Sequence, residues 1–178
     1  MVFLPVSRIL RPVAGLALAL LLSIQILSIQ ILPLQILPVA AQAKGESPAA
    51  AMATEALTIR SKNGPHAFAV EVMRDDASRA RGLMFRRTMA PDHGMLFDFG
   101  QTLPVNMWMK NTYLPLDMVF IRADGTVARV AADAEPLSTR VIPSGEPVLS
   151  VLELNAGTAA KLGIRAGDRV EHPLFRAR

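Results

Sequence analysis

Beyond residue 55 the chain is a succession of short apolar–polar alternations, the period-two signature of half-buried β-strands. "ALTIRS" (56–61) reads as a strand that stops at the turn signal Asn63-Gly64-Pro65. "HAFAVEVM" (66–73) then places Phe68, Val70 and Val72 on one face. "GMLFDF" (94–99) puts Met95, Phe97 and Phe99 together, and a separate strand is expected over 105–110. "LDMVFI" is apolar on both faces apart from Asp117, as a central strand would be. Asp124-Gly125 is a hairpin turn joining 117–122 to 126–132. "PVLSVLEL" (147–154) is again doubly apolar except at Ser150 and Glu153, and a last strand is expected after Gly167-Asp168. Only two segments suit helices. One runs from an Asp75 or Asp76 N-cap to Gly82, the other over about 157–162 with Gly163 behind it. The pattern predicts an α+β fold: a small curled, mostly antiparallel sheet or barrel-like sheet with two short helices.

The first 43 residues follow a different pattern. They hold no Asp, Glu or Lys; Arg8 and Arg11 precede a long apolar run, and Ala41 and Ala43 give an A-x-A exit. This is the layout of a secretory signal peptide with a core over 13–22. Behind the core the run continues through the repeats "QILSI", "QILPL" and "QILPV", a length that leaves a retained membrane anchor as the alternative. The expected organisation is a signal peptide or anchor over 1–43, a small-residue linker over 44–55, and one domain over 56–178. The domain is expected in the periplasm or secreted, touching membrane only through an uncleaved N-terminal segment. Losing 1–43 removes two of the 19 basic residues and none of the 15 acidic ones, so the net charge falls from +4 to +2. With no basic run longer than Arg86-Arg87, no nucleic-acid partner is expected. The absence of cysteine excludes disulfides.

Candidate chemistry is sparse. His66, His93 and His172 are scattered and read as exposed or turn residues rather than metal ligands. "PSGEP" around Ser144 reads as a turn, not as the elbow of a serine nucleophile. No cofactor is expected. Asp117 and Glu153 matter more, because a carboxylate inside an apolar strand costs several kcal/mol unless paired or hydrogen-bonded. Arg81, Lys110 and backbone N–H groups of the helix after Asn155 are the partners to look for; a joint acid–base role is the functional reading, a structural polar network the simpler one. Seven of the nine methionines lie between Met73 and Met118. Met107 and Met109 flank Trp108, the chain's only tryptophan, in an M-x-M pattern that could hold Cu(I), or that simply fills a core. Strand alternation would turn Trp108 away from both sulfurs.

Taken together, "RARGLMFR", "GMLFDF", "WMKNTYLPLDMVF" and "VLELNAG…GIRAGDRV" resemble domain-of-unknown-function family 192 over roughly residues 57–170. The resemblance implies a small, often exported bacterial or archaeal protein of compact mixed α/β fold whose activity is uncharacterised. Arg81, Gly82, Met84, Gly94, Met95, Phe97, Trp108, Met109, Asn111, Thr112, Pro115, Asp117, Glu153 and Gly157 match its motifs. Met107 departs from them, which weakens the copper reading. Arg81, Asn111, Thr112, Asp117 and Glu153 are expected to converge at one end of the sheet, with Trp108 as a wall and with Gly82, Gly94 and Gly157 admitting close backbone approach. The expected function is a binding or accessory module of the cell envelope that takes a small polar ligand or an envelope protein. An enzyme using Asp117 or Glu153, and a methionine-based Cu(I) protein, are the alternatives.

Overall fold

The computed structural model describes residues 53–176. Seven strands form one sheet: β1 (Thr54–Ser61), β2 (Gly64–Met73), β3 (His93–Met107), β4 (Leu116–Ile121), β5 (Val127–Ala134), β6 (Ile142–Asn155) and β7 (Arg169–Glu171). The helices are α1 (Asp76–Arg81) and α2 (Thr158–Leu162), with a 3-10 turn over Pro173–Phe175. The spatial order is β5-β4-β6-β3-β2-β1-β7. Only β2 and β3 run parallel. Parallel neighbours need a crossover, and α1 with the loop behind it supplies one.

The sheet curls until its two edges touch. Val127 N–H donates to Asp168 O (2.8 Å), Gly167 N–H to Val127 O (2.9 Å) and Val170 N–H to Gly125 O (2.8 Å), so the start of β5 meets β7. One hydrophobic core therefore draws on both edges, with Val127 and Val170 packed among Leu57, Val70, Leu96, Val119 and Leu152. A face shared by opposite edges of a sheet is the inside of its curl. The other face of β3, β4 and β6 carries a second core of Met95, Phe97, Met118, Phe120, Val148 and Val151, covered by Leu83 and Met109. The mostly antiparallel half-barrel with two short helices is the architecture that the alternation pattern predicts.

Three local expectations need correction. The segments 94–99 and 105–110 are not separate strands: β3 runs through both, interrupted by register shifts against β6, and ends at Met107. The stretch around Ser144 is not a free turn. It lies within β6, where Gly145 (φ 82°) absorbs the irregularity and Ser144 Oγ accepts from Val105 N–H (3.0 Å). His172 is buried rather than exposed, its Nδ1 accepting from Leu174 N–H (3.2 Å).

Of the three glycines expected to admit close approach, Gly94 does so most tightly. A Cβ there would lie 2.9 Å from the carbonyl oxygen of Glu153 and 2.9 Å from Leu154 Cδ2. At Gly82 the near neighbour is the Phe97 ring, and at Gly157 the space is open, so that residue serves only its left-handed backbone (φ 80°). Gly94→Ala should force β3 from β6 and cost about 2 kcal/mol, the scale of overpacking. A urea midpoint lowered at constant m-value would confirm it; an unchanged midpoint would refute it.

Candidate functional site

The site lies on the outer face, where α1 and the chain after β3 overhang the second core. The helix starts cleanly because the Asp75 side chain accepts from Ser78 N–H (2.8 Å), and it stops at Gly82, whose φ is 47°. Arg79 anchors it to the sheet, donating to Asp98 O (2.7 Å) and Arg74 O (2.5 Å) while pairing with Asp76. The following residues are tied to the loop beyond β3. Phe85 N–H donates to Asn111 O (2.9 Å), and both residues adopt positive φ (66° and 57°). The Asn111 amide reaches Met84 Sδ (3.9 Å), and the Phe85 ring sits edge-on to Tyr113 at 6.5 Å. Thr112 N–H closes the turn onto Met109 O (3.0 Å).

Between these segments opens a cleft of about 260 Å³. Leu83, Met84, Phe97, Phe99, Met107 and Trp108 wall it, and Glu153 reaches it from below. Glu153 is a charged residue that β6 turns onto the apolar outer face, flanked across the strands by Met95 on β3 and Met118 on β4. Only 4% of the residue is exposed. Burial alone pushes its pKa from 4.5 up to about 8; no hydrogen bond or charge counters that shift. At neutral pH the group is therefore mostly a neutral acid able to donate a hydrogen bond.

The expected constellation comes together only in part. Arg81, Trp108, Thr112 and Glu153 line the cleft. Asn111 stands behind it and serves the loop. Asp117 lies on the opposite face: its cross-strand neighbour is Leu154, whereas that of Glu153 is Met118. Its carboxylate accepts from Asp133 N–H (3.0 Å) and from Ala159 N–H (2.8 Å) in the first turn of α2. The partner is thus the backbone after Asn155, not Arg81 or Lys110. Asp117 and Glu153 do not form one acid–base unit.

Trp108 also departs from expectation. Because β3 ends at Met107, alternation does not extend to the tryptophan, and the half-exposed ring lines the same cleft as Met107. Met109 is fully buried in the core beneath, so the M-x-M pair is split between cleft and core. Among the described residues no group of three His, Asp or Glu side chains is placed to hold a metal ion. The cleft walls Leu83, Met84, Phe97 and Phe99 lie outside the site residues that the sequence suggests. The signal for two of them was present, since alternation along 95–99 puts Phe97 and Phe99 beside Met95 on one face.

A half-barrel of this kind, with a small apolar cleft over a buried carboxylate, defines a compact α+β domain with a candidate ligand site on its outer face. The chain belongs to the DUF192 family, described as an uncharacterized ACR, whose match covers residues 57–172. It is similar to a crystal structure from Sinorhizobium meliloti 1021 described as a candidate transcription regulator, with 55% identity, a TM-score of 0.66, and coverage of 67% of this chain and 94% of that one. It is also similar to a protein of unknown function from Novosphingobium aromaticivorans DSM 12444, with 38% identity, a TM-score of 0.68, and coverage of 70% and 89%. No curated protein matches the chain.

Proposed function

We propose that the protein is an exported binding module of the cell envelope whose cleft holds a small ligand with an apolar body and one polar group seated on Glu153. One observation carries this reading: a buried carboxylate without a partner among the described residues stands at the base of an apolar cleft. Pockets for small molecules are mostly apolar with a few placed polar groups, and this cleft has that balance. The alkyl and aromatic walls would hold the ligand body; Glu153 would fix its orientation. Gene regulation, which the Sinorhizobium relative's description suggests, gains no support from helices of six and five residues, too short to serve as a recognition helix.

The test is a thermal-shift screen of the purified protein against sugars, peptidoglycan fragments, short peptides, amines and metal ions. A ligand that binds only the folded state raises the melting temperature by mass action. True cleft ligands should also change the emission of Trp108, and Glu153→Leu, which closes the floor with an apolar group, should abolish both effects. Hits that survive this substitution, or no hit in the panel, would refute the reading.

The raised pKa of Glu153 favours a second reading, in which the same group acts as a general acid or base near neutral pH. It separates from the first by turnover: a substrate that is chemically changed by the wild type, and bound but unchanged by Glu153→Gln, would establish it.

A further inference from the structure

The binding reading leaves open what Glu153 receives, and the surroundings of the carboxylate narrow the answer. Buried carboxylates in folded proteins are paired with a cation or with several hydrogen-bond donors. Glu153 has neither. The charged groups that line the cleft are the two arginines of α1, and neither offsets the burial of the carboxylate. Arg79 is committed to two backbone carbonyls and to Asp76, and Arg81 is exposed at the rim. No charged residue faces Glu153 from the strands either, because its cross-strand neighbours are Met95 and Met118. From the loop after β3 the cleft receives Trp108 and Thr112, and the Thr112 hydroxyl already donates to Lys110 O (3.3 Å).

What remains is a buried acid that can ionise fully at neutral pH only when a counter-charge is brought to it, among surfaces that attract cations. Aromatic faces bind ammonium groups through the ring quadrupole, most strongly when water is excluded, and thioether sulfur is polarisable. Phe97, Phe99 and Trp108 put aromatic rings on the cleft walls; Met84 and Met107 put thioethers there. A sugar would find few free donors and acceptors on these walls. An anion would have to leave Glu153 protonated, since the arginines that line the cleft do not offset a charge on it.

We propose that the cleft of this domain binds an organic ammonium ion, an amine or quaternary ammonium group on a small apolar body, with Glu153 as its counter-charge and Trp108 as part of its aromatic enclosure. This rests on the binding function proposed above and names its ligand class. Binding converts the neutral Glu153 acid to carboxylate, and the proton leaves to solvent as the ligand cation takes its place. Affinity should therefore rise with pH until the acid is already ionised in the free protein.

Trp108 provides the readout, since no other tryptophan contributes emission. The probes are choline and its uncharged carbon isostere 3,3-dimethylbutan-1-ol, titrated between pH 6 and pH 9, with benzylamine and benzyl alcohol as a second pair at pH 7. Both cations should bind more tightly than their isosteres. The affinity for choline should rise about tenfold from pH 7 to pH 9, the change in the ionised fraction of a group titrating at about 8. Glu153→Gln should lose choline and its pH dependence while retaining weak binding of dimethylbutanol, which also certifies the variant as folded. If the uncharged members bind as well as the cations, or if affinity falls as pH rises, Glu153 serves as a hydrogen-bond donor and the ammonium assignment is wrong although the cleft still binds. If no probe perturbs Trp108, the ammonium assignment and the cleft-binding reading fall together.

Discussion

Glu153→Gln should make the protein more stable than the wild type at pH 8 by about 4 kcal/mol, and equal to it at about pH 4. The physical cause is burial. Glu153 ionises at 4.5 in an unperturbed setting and at about 8 in the folded protein. Between those values the folded state holds a proton that the unfolded state has released. Stability then falls as pH rises, at up to about 1.4 kcal/mol for each unit of pH. The loss begins near pH 4.5 and is complete once pH passes the folded-state value. Glutamine keeps the shape, carries no titrating proton and removes the slope. At about pH 4 the glutamate is mostly neutral in the folded and unfolded states alike, so the two curves should meet there. Melting temperatures measured from pH 4 to pH 8 would show the wild type falling progressively below the glutamine variant, with a gap of roughly 10–15 °C at pH 8 for a domain of this size. Parallel curves would mean that Glu153 is paired or hydrated in solution. A substitution that stabilises is expected where a residue is retained for function rather than folding. Bound ligand cation should close the gap, because it supplies the charge that the fold does not.

Much of this site could be read before the structure. The interruption of two doubly apolar segments by Asp117 and Glu153 marks both as buried carboxylates, and both are. The helix after Asn155 is among the partners the sequence offers Asp117, and its Ala159 N–H fills that role. What could not be read is which face each carboxylate takes relative to the other. That depends on the register between β4 and β6, which pairs Asp117 with Leu154 and Met118 with Glu153. A shift of one residue would exchange the faces, and nothing in either strand alone sets it. The placement of Trp108 failed for a related reason. Local alternation runs on to Lys110, but pairing with β6 is last made at Met107 opposite Ile142, and the chain turns out of the sheet there. The Gly/Pro-rich stretch near Ser144 similarly reads as a turn until a long-range partner, the 103–107 part of β3, holds it as strand.

Asp117→Ala should be the more damaging change and should act on folding alone. One carboxylate oxygen accepts from Asp133 N–H, the other from Ala159 N–H. The first bond fixes an irregularity in β5, where pairing with β4 jumps from Leu116 opposite Ala134 to Met118 opposite Ala131 and Asp133 is held at φ 50°. The second holds the start of α2, whose own N-cap, Gly157, has no side chain to offer. Hydrogen bonds to an ionised acceptor contribute about 1.5–3 kcal/mol each, and donors left buried without a partner carry their full desolvation penalty. Alanine removes both acceptors from a residue with no measurable exposure. The expected loss is about 4 kcal/mol, or a fall in melting temperature of some 15 °C. Asparagine keeps one acceptor and turns an amide N–H toward the other donor, so it should lie between alanine and wild type. Because Asp117 faces the inner core and the cleft lies on the outer one, the folded fraction of Asp117→Asn should give the same Trp108 response to ligand as the wild type. A weakened response at full folding would instead mean that the two faces are coupled through β4, and that Asp117 positions the floor of the cleft as well as the helix behind it.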